Sequence, residues 1–279
     1  MMITGNTTLV AHLGYPTMTF KSPRLYNSWF AAAGVDAVIV PMGARAEGYP
    51  EIFRAVFQLT NLRGALVTMP HKVTTLELVD ELTSTARVAG ATNVVLRRED
   101  GTLIGDQFDG AGFTNAISAK GFVARGKRAL IVGSGGVGSA IAASLAQEGI
   151  RELVLYDAHR ESSERLAARV ADNFPAVKVE LGDTSPEGCD LVVNATPLGT
   201  YPTDPLPVNV NALEPGCLVG DVSLKADMTP LLKAAQQRGC QIQVGTDMVF
   251  AMAPSVLDFL GFPSADASLL RSHYMAAEG

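Results

Sequence analysis

The sequence predicts an α/β protein made of two α/β domains. Apolar strand-like runs alternate with helical patterns over the first hundred residues, and a second alternation of the same kind begins near Arg128. This alternation is typical of mainly parallel sheets, because parallel strands are joined by crossover helices. The 279 residues, of which 47% are hydrophobic, suffice for two domains with separate cores.

The boundaries of the individual elements follow from the apolar runs and their flanking residues. The first alternation predicts strands over 8–13, 37–41, 64–68 and 92–97, and helices over 23–33, 49–59 and 70–82. The second predicts strands over 153–156, 191–194, 217–222 and 241–244, with a helix over 230–238. That helix has Thr229 as N-cap, Pro230 at its first position and Gly239 after its end. After Gly245 the pattern is helical and apolar.

A glycine-rich turn separates a predicted strand from a predicted helix in the run LIVGSGGVGSAIAASLAQEG, residues 130–149. Gly133, Gly135 and Gly138 fit the pattern G-x-G-x-x-G. The first glycine permits a tight turn, the second lets a pyrophosphate approach the backbone, and the third lets helix and strand pack closely. The helix N-terminus adds free N–H groups and a partial positive charge. The order of strand, turn and helix predicts a Rossmann domain that binds a nicotinamide dinucleotide.

The next predicted strand ends at Asp157, where an acid that binds the adenosine ribose is expected. A carboxylate at this position accepts hydrogen bonds from the ribose hydroxyls and repels a 2′-phosphate, and Ala158 offers no compensating charge. We therefore expect NAD as the cofactor, with NADP less favoured. His159 and Arg160 lie just downstream, so a phosphate contact from one of them is the alternative.

Composition and charge argue against several classes of partner. The net charge of −6 and the pI near 5.3 give no electrostatic reason to expect binding to nucleic acid. No apolar stretch has the length of a membrane span and the N-terminus lacks a secretion signal, so we expect a cytoplasmic protein, monomeric or homodimeric. Its expected partner is a small-molecule substrate.

The cysteines and histidines show no metal-binding pattern, so no metal site is predicted. Cys189, Cys217 and Cys240 lack metal-ligand spacing, and we expect them to be reduced structural thiols. Of the four histidines, only His71 has a suggestive neighbour, Lys72, and we expect it to pack or to be hydrated.

Three short motifs are typical of one enzyme family: VTMPHK at 67–72, GATN at 90–93 and GDQFDG at 105–110. With them, the whole chain resembles the shikimate and quinate dehydrogenase family. Further segments match that family's pattern in the same order. They are GYPTMTFKSP (14–23), the glycine-rich turn, NATPLGT (194–200), DVSLKADMTPLL (221–232) and GTDMVFAMA (245–253).

The resemblance implies a domain organisation and a set of functional residues. A substrate domain of residues 1–109, completed by C-terminal helices at 245–279, would hold the dinucleotide-binding domain, 110–244, as an insert, with the active site in the cleft. The family's catalytic lysine corresponds to Lys72 and its catalytic aspartate to Asp109. Asn93 corresponds to the asparagine that contacts the substrate and orients the lysine. The implied dinucleotide-binding residues are Gly133, Ser134, Gly135, Gly136, Val137, Gly138, Asp157, Asn194, Thr196 and Gly245.

The substrate pocket departs from the family's pattern in one chemical direction, from polar to apolar. Phe20 replaces the first serine of the S-x-S element that binds the ring carboxylate, and Ser22 remains as the second. Leu66 replaces an asparagine two residues before Thr68, which is kept. The other polar-to-apolar departures are Phe108 for threonine, Leu224 for the tyrosine that helps to hold the carboxylate and Met252 for a glutamine, while Gln107 for asparagine keeps a polar amide. The substrate-binding residues that we predict are Ser22, Thr68, Asn93, Phe20, Leu224 and Met252.

These features predict an NAD-dependent oxidoreductase of the shikimate dehydrogenase type. Moving a hydride between nicotinamide and a ring carbon requires a proton to be moved at the same oxygen, which a lysine in a closing cleft can donate or accept. The resemblance also implies a role in aromatic amino acid biosynthesis. The altered pocket leaves open a paralogue that acts on quinate, an aminoshikimate-type ring or a less polar ring, with little activity on shikimate. A dinucleotide-binding regulatory protein without turnover is the other alternative, against which Lys72, Asp109 and Asn93 argue.

Overall fold

The computed structural model describes residues 2–199 and 203–277. The chain divides into two units, one formed by Met1–Phe108 and Met252–Gly279 and the other by Asp109–Ala251. The first crossing lies one residue before the expected boundary at 109/110. The second lies inside a C-terminal helix, later than the expected boundary at 244/245.

Strands and helices alternate through most of the chain. The strands are β1 (Thr8–Gly14), β2 (Ala37–Gly43), β3 (Leu62–Val67), β4 (Glu81–Leu82), β5 (Val94–Arg97), β6 (Leu103–Asp106), β7 (Arg128–Val132), β8 (Glu152–Tyr156), β9 (Lys178–Leu181), β10 (Leu191–Asn194), β11 (Leu218–Asp221) and β12 (Gln241–Gln243). The helices are α1 (Ser22–Ala33), α2 (Tyr49–Val56), α3 (Ser84–Ala89), α4 (Asp109–Ser118), α5 (Gly136–Gln147), α6 (Arg160–Asn173), α7 (Pro230–Gln237), α8 (Gly245–Leu260) and α9 (Ala267–Ala276). Within the described residues, no helix combines the length and the apolar character needed to cross a membrane.

The sheet of the first unit is mixed, with the strand order β2-β1-β3-β5-β6-β4. β1 pairs in parallel with both β2 and β3, as the alternation of runs predicted. β5 is antiparallel to β3 and to β6. A short turn joins β5 to β6, whereas the segment between β3 and β5 includes β4 and α3. The central strand β1 is buried on both faces, and its carboxyl end therefore places side chains inside the unit.

The helix predicted over 70–82 is wrong. The segment forms a turn, a short 3₁₀ helix at Thr74–Glu77 and the strand β4. The carbonyl oxygen of Lys72 accepts a hydrogen bond from the N–H of Thr92, 2.8 Å away, and not from a residue of the next helical turn. The Thr75 N–H and hydroxyl both donate to the His71 carbonyl, at 2.9 and 2.8 Å, which closes a single local turn. Lys72 consequently lies on a turn that follows β3.

The second unit contains the predicted Rossmann domain. All pairs in its sheet are parallel, and the strand order is β12-β11-β10-β7-β8-β9. Numbered from β7 as strand 1, the order is 3-2-1-4-5-6, which defines this fold. Successive residues of β7 belong to different apolar clusters, Ile131 to one with α5 and α6 and Leu130 to one with α7. Both faces of the sheet are therefore covered.

The three cysteines are buried free thiols of the second unit. All of them belong to the apolar cluster around Leu130. Burial raises the pKa of the Cys189, Cys217 and Cys240 thiols, for Cys217 to about 12. They are packing residues, as expected.

The glycine-rich turn joins β7 to α5 by a close backbone approach. Gly133 has a φ of 103°, a left-handed conformation that favours glycine. A Cβ at Gly138 would overlap the carbonyl oxygen of Gly133 and lie 2.9 Å from its carbonyl carbon. Gly135, by contrast, has a φ of −73°, and a Cβ there would meet no heavy atom within 4 Å. Packing therefore requires the third glycine of the motif but leaves the second free for another role.

We expect Gly138→Ala to destabilise the second unit. Its Cβ must displace backbone, which costs about 1–3 kcal/mol and exceeds the gain in helix propensity of roughly 1 kcal/mol. Thermal unfolding should show a melting temperature several degrees below that of the wild type, at roughly 2–4 °C per kcal/mol. Gly135→Ala is the matched control, and it should lose less than about 1 kcal/mol through a poorer N-cap. Equal melting temperatures for the two variants would contradict this account of the turn.

Candidate active site

The turn that carries Lys72 is held in place by a backbone hydrogen bond before it and by an aromatic contact of the neighbouring His71. The N–H of Thr68 donates to the carbonyl of Leu13 at 2.9 Å, which ties the end of β3 to β1. His71 is buried, its ring stacks flat on Tyr49 at 3.7 Å, and its Nε2 donates to the Ala44 carbonyl at 2.8 Å. The expected packing role of His71 is confirmed. The neighbouring Lys72 side chain is only half-buried.

Asn93 connects this turn to the segment that leads to Asp109. Its carbonyl accepts from the N–H of Val67 at 2.7 Å, while the preceding N–H, of Thr92, donates to Lys72. The Asn93 side-chain oxygen accepts from the N–H of Phe108 at 2.9 Å. Asp109 follows as the first residue of α4, and its side chain is buried. Two of the segments that the sequence motifs singled out are thus hydrogen-bonded to each other within the first unit.

Phe20 and Thr68 meet at the carboxyl end of β1. A Cβ at Gly14 would overlap Cγ2 of Thr68 and lie 2.9 Å from Cζ of Phe20. This glycine is therefore required by the close approach of the two predicted substrate-binding side chains. Ser22 begins α1, two residues after Phe20.

A further residue, His12, belongs to the same cluster and was not predicted. Its ring stacks on Phe20 with a centroid distance of 4.1 Å, and its register partner in β3 is Leu66, one of the polar-to-apolar replacements. His12 is only 5% exposed, and Nδ1 has no hydrogen-bond partner. Burial, and then the positive charge of Lys72, lower the pKa of His12 from 6.5 to about 3. The only signal in the sequence is a histidine inside the apolar run that ends at Gly14.

The remaining predicted substrate-binding residues are distributed over both units. Met252 is half-buried in α8 and belongs to the first unit. Leu224 is half-buried, follows β11 and belongs to the second unit. Phe108 is half-buried and packs edge-on against Phe259 of α8, with ring centroids 5.4 Å apart, so this replacement makes an aromatic contact within the first unit.

The predicted dinucleotide-binding residues cluster in the second unit, at the carboxyl ends of β7, β8 and β10. Asp157 accepts hydrogen bonds from the N–H of Ser134 at 2.7 Å and from the N–H of His159 at 2.8 Å, one on each carboxylate oxygen. A Cβ at Gly133 would lie 2.8 Å from the Ala195 carbonyl carbon and 2.9 Å from Cγ2 of Thr196. The glycine-rich turn therefore contacts both the acid and the segment after β10.

Asn194 acts in this structure as a loop-organising residue. It is buried, its amide nitrogen donates to Leu198 O at 3.0 Å and to an oxygen of Asp221 at 3.1 Å, and its oxygen accepts from Thr196. Burial raises the pKa of Asp221. At the start of α8, a Cβ on Gly245 would overlap the Ser223 carbonyl oxygen, so the helix begins in close backbone contact.

Comparison with known proteins agrees with the motifs. A family model described as the shikimate dehydrogenase substrate binding domain matches residues 13–95. The chain is similar to a shikimate dehydrogenase (NADP(+)) of Rubrobacter xylanophilus, with 37% identity over 85% of this chain and 84% of that protein. Among solved structures, a quinate dehydrogenase from Corynebacterium glutamicum in complex with NAD is 28% identical, with a TM-score of 0.87 over 97% of this chain and 99% of that one. Ligand-free 5-ketofructose reductase of Gluconobacter sp. strain CHM43 is 26% identical, with a TM-score of 0.86 over 97% and 99%.

The buried His12 makes the protein sensitive to acid in a defined range. Because the pKa of His12 is about 3 in the folded chain and 6.5 when exposed, only the unfolded chain binds this proton between those values. Stability therefore falls as the pH drops through this window, by about 2 kcal/mol at pH 5. His12→Phe, which keeps a stacked ring, removes this contribution. Between pH 7 and pH 5, the melting temperature of this variant should fall by about 4–8 °C less than that of the wild type.

The control for this measurement is His159→Gln, which removes a solvent-exposed histidine. It should show the same drop between pH 7 and pH 5 as the wild type. If His12→Phe also showed the full drop, His12 would not be the group that titrates on unfolding.

Proposed function

Because the chain belongs to the shikimate dehydrogenase family of oxidoreductases, we propose that it transfers a hydride between NAD and a ring hydroxyl or ketone of an alicyclic, shikimate-like substrate. Lys72 and Asp109 handle the proton. The observation that carries the proposal is the anchoring of Lys72 beside Asn93 through the hydrogen bond from Thr92. An acid-base group contributes to rate only when its position is fixed, and this turn is fixed by two contacts, the hydrogen bond from Thr92 just before β5 and the stacking of His71 on Tyr49.

The residues of the glycine-rich turn fit a dinucleotide. The backbone at Gly135 is exposed, with no heavy atom near the position of a Cβ, so a pyrophosphate can approach it closely. α5 begins at the next residue, and no side chain caps its N-terminal N–H groups. Gly133–Gly138 would hold the pyrophosphate and Asp157 the adenosine ribose, while Asn194, Thr196 and Gly245 shape the adjoining backbone. The bound nicotinamide supplies or accepts the hydride.

The proton is the part of the reaction that falls to this chain's own side chains. Lys72 donates a proton to the carbonyl oxygen of the substrate during reduction, or accepts it from the hydroxyl during oxidation. The Asp109 carboxylate hydrogen-bonds the same hydroxyl and orients it. Asn93 positions the segment before Asp109 through the N–H of Phe108. Asn93 is therefore proposed to keep the acid-base pair correctly positioned relative to the substrate.

The preference for NAD is supported by the position of Asp157. Two backbone N–H groups hold its carboxylate against the glycine-rich turn, where the adenosine ribose is expected. A 2′-phosphate would meet a negative charge there. Arg160, the nearby cation, is paired with Glu164 at 2.8 Å. The Rubrobacter relative is named for NADP(+), whereas the Corynebacterium quinate dehydrogenase is in complex with NAD, so the family accommodates both.

The presence of Phe20 argues for a substrate other than shikimate. It stands where the family places a serine that binds the ring carboxylate, and its ring is stacked on a neutral histidine. A carboxylate that is desolvated without matching donors binds poorly. Ser22 remains as a hydroxyl donor, while Met252, in the same unit, offers apolar surface. A quinate-like, aminoshikimate-like or less polar ring therefore fits the altered pocket better than shikimate does.

A substrate panel tested with both cofactors examines the proposal directly. We expect turnover of at least one of shikimate, quinate and methyl shikimate with NAD, and an efficiency with shikimate below roughly 10⁴ M⁻¹s⁻¹, the lower end for metabolic enzymes. Calorimetry should show tighter binding of NAD than of NADP, and Asp157→Asn should narrow that difference. Gly135→Ala, for which we expect little loss of stability, should weaken the binding of both cofactors. Equal or tighter binding of NADP would refute the cofactor preference.

Lys72→Ala should lower kcat by on the order of 10²–10⁴ and leave the Kd for NAD unchanged. The lysine acts at the reacting oxygen, and the cofactor residues belong to the other unit. Asp109→Asn should lower kcat to a similar extent, because its carboxylate is proposed to act at the same hydroxyl. Val73→Ala, an exposed neighbour on the same turn, is the control and should retain wild-type turnover. Near-normal turnover of Lys72→Ala and Asp109→Asn on the best substrate would exclude this pair.

A further inference from the structure

We propose that His12 is a specificity-determining residue whose imidazole hydrogen-bonds an uncharged oxygen substituent, a hydroxyl or a carbonyl, of the substrate. The inference rests on the proposed function, because it places His12 in the substrate pocket of that oxidoreductase. It names the chemistry of the group that the pocket recognises.

The first argument is the unsatisfied hydrogen-bonding capacity of the ring. His12 is almost completely buried on a central strand, yet Nδ1 has no partner. Buried polar side chains are nearly always hydrogen-bonded, since an unmatched one costs stability. A stacking partner for Phe20 would be supplied equally well by phenylalanine. Stacking therefore does not explain why a ring with polar nitrogens is buried at this position, whereas a hydrogen bond to a bound ligand does.

The second argument is the position of the ring. His12 and Gly14 are two residues apart on β1, so they face the same side of the sheet. That side carries Phe20 and Thr68 around Gly14, and the charge of Lys72 is near enough to act on His12. The imidazole thus belongs to the same cluster as the proposed proton-handling lysine and two predicted substrate-binding residues.

The third argument concerns the charge of the group that is recognised. A neutral imidazole has one donor nitrogen and one acceptor nitrogen, which match a hydroxyl in either sense and a carbonyl through the donor. With its pKa lowered to about 3, His12 is uncharged at physiological pH and cannot neutralise a carboxylate. Phe20, which stacks on the imidazole ring, adds no hydrogen-bond donor. The pair therefore selects an uncharged substituent where the family's serine binds a carboxylate.

The test compares three His12 variants on substrates that differ in charge. His12→Phe keeps the stacked ring without nitrogens, His12→Asn places an amide near the position of Nδ1, and His12→Gln places one near Nε2. The probes are shikimate, its methyl ester, which is uncharged at the same substituent, and 5-ketofructose, an uncharged ketone. Steady-state kinetics with NAD or NADH, calorimetry with NAD and melting temperatures are measured for each protein.

We expect the wild type to favour an uncharged probe over shikimate by at least about tenfold in kcat/KM. His12→Phe should lose about 10- to 100-fold on that probe, mainly through KM, with unchanged Kd for NAD. Asn or Gln should restore most of the loss, and the one that does so identifies the contacting nitrogen. If His12→Phe failed to fold, an Asn or Gln variant that kept the preference for the uncharged probe would still show that hydrogen bonding is required and the stacked ring is not, whereas loss of the preference in both would contradict the inference.

Three results would overturn the inference. Equal KM and selectivity in the wild type and His12→Phe would make the residue structural only. A changed pH profile of kcat without a change in KM would mean that His12 acts through Lys72 and not on the substrate. A wild type that neither binds nor turns over any of the probes or quinate would overturn the proposed function and this inference together, whereas turnover with an unaffected His12→Phe would overturn the inference alone.

Discussion

The candidate active site depends on one backbone hydrogen bond, from the N–H of Thr92 to the carbonyl of Lys72. The bond draws the turn after β3 against the start of β5 and uses the carbonyl that a continuing helix would have needed. The next residue, Asn93, then holds the N–H of Phe108, so the segments carrying Lys72 and Asp109 share one anchor. Functional side chains held in this way by regular strands are more precisely placed than those on free loops.

The accuracy of the sequence-based predictions follows from how local their signals are. Glycine spacing, Asp157 and the caps of α7 lie within short segments, and the Rossmann domain was predicted from them. The segment 70–82 has a helical pattern, but its conformation is decided by Thr92, which is distant in sequence, and the antiparallel pairing of β5 depends on similar long-range contacts. The motifs singled out Lys72 and Asn93 as candidate site residues, whereas His12 has no local signature. The role proposed for His12 depends on a long-range placement, the stacking of Phe20 on its ring.

The aromatic substitution at Phe20 and the histidine at position 12 are better understood as one change than as two. Taken alone, Phe20 would remove a hydroxyl from the proposed substrate pocket. In the structure its ring covers a face of the imidazole and helps to keep it dry, which favours the neutral form of His12. The pair therefore exchanges a small polar contact for a flat, uncharged surface with a hydrogen-bonding edge. Pocket chemistry inferred from single replacements would miss this coupling between neighbours.

The negative charge of Asp157 is difficult to lose by mutation, because the same carboxylate has a structural role. Its two oxygens organise the turn at Ser134 and the start of the segment at His159, so the same group orders the backbone and sets the local potential. A mutation to a residue without a side-chain acceptor would also leave two N–H groups without this partner, and asparagine would keep an acceptor for only one of them. A lineage changing its coenzyme would therefore first need another acceptor for the turn, for example a hydroxyl from a neighbouring helix. The order in which mutations are accessible is thus constrained by hydrogen bonding as well as by charge.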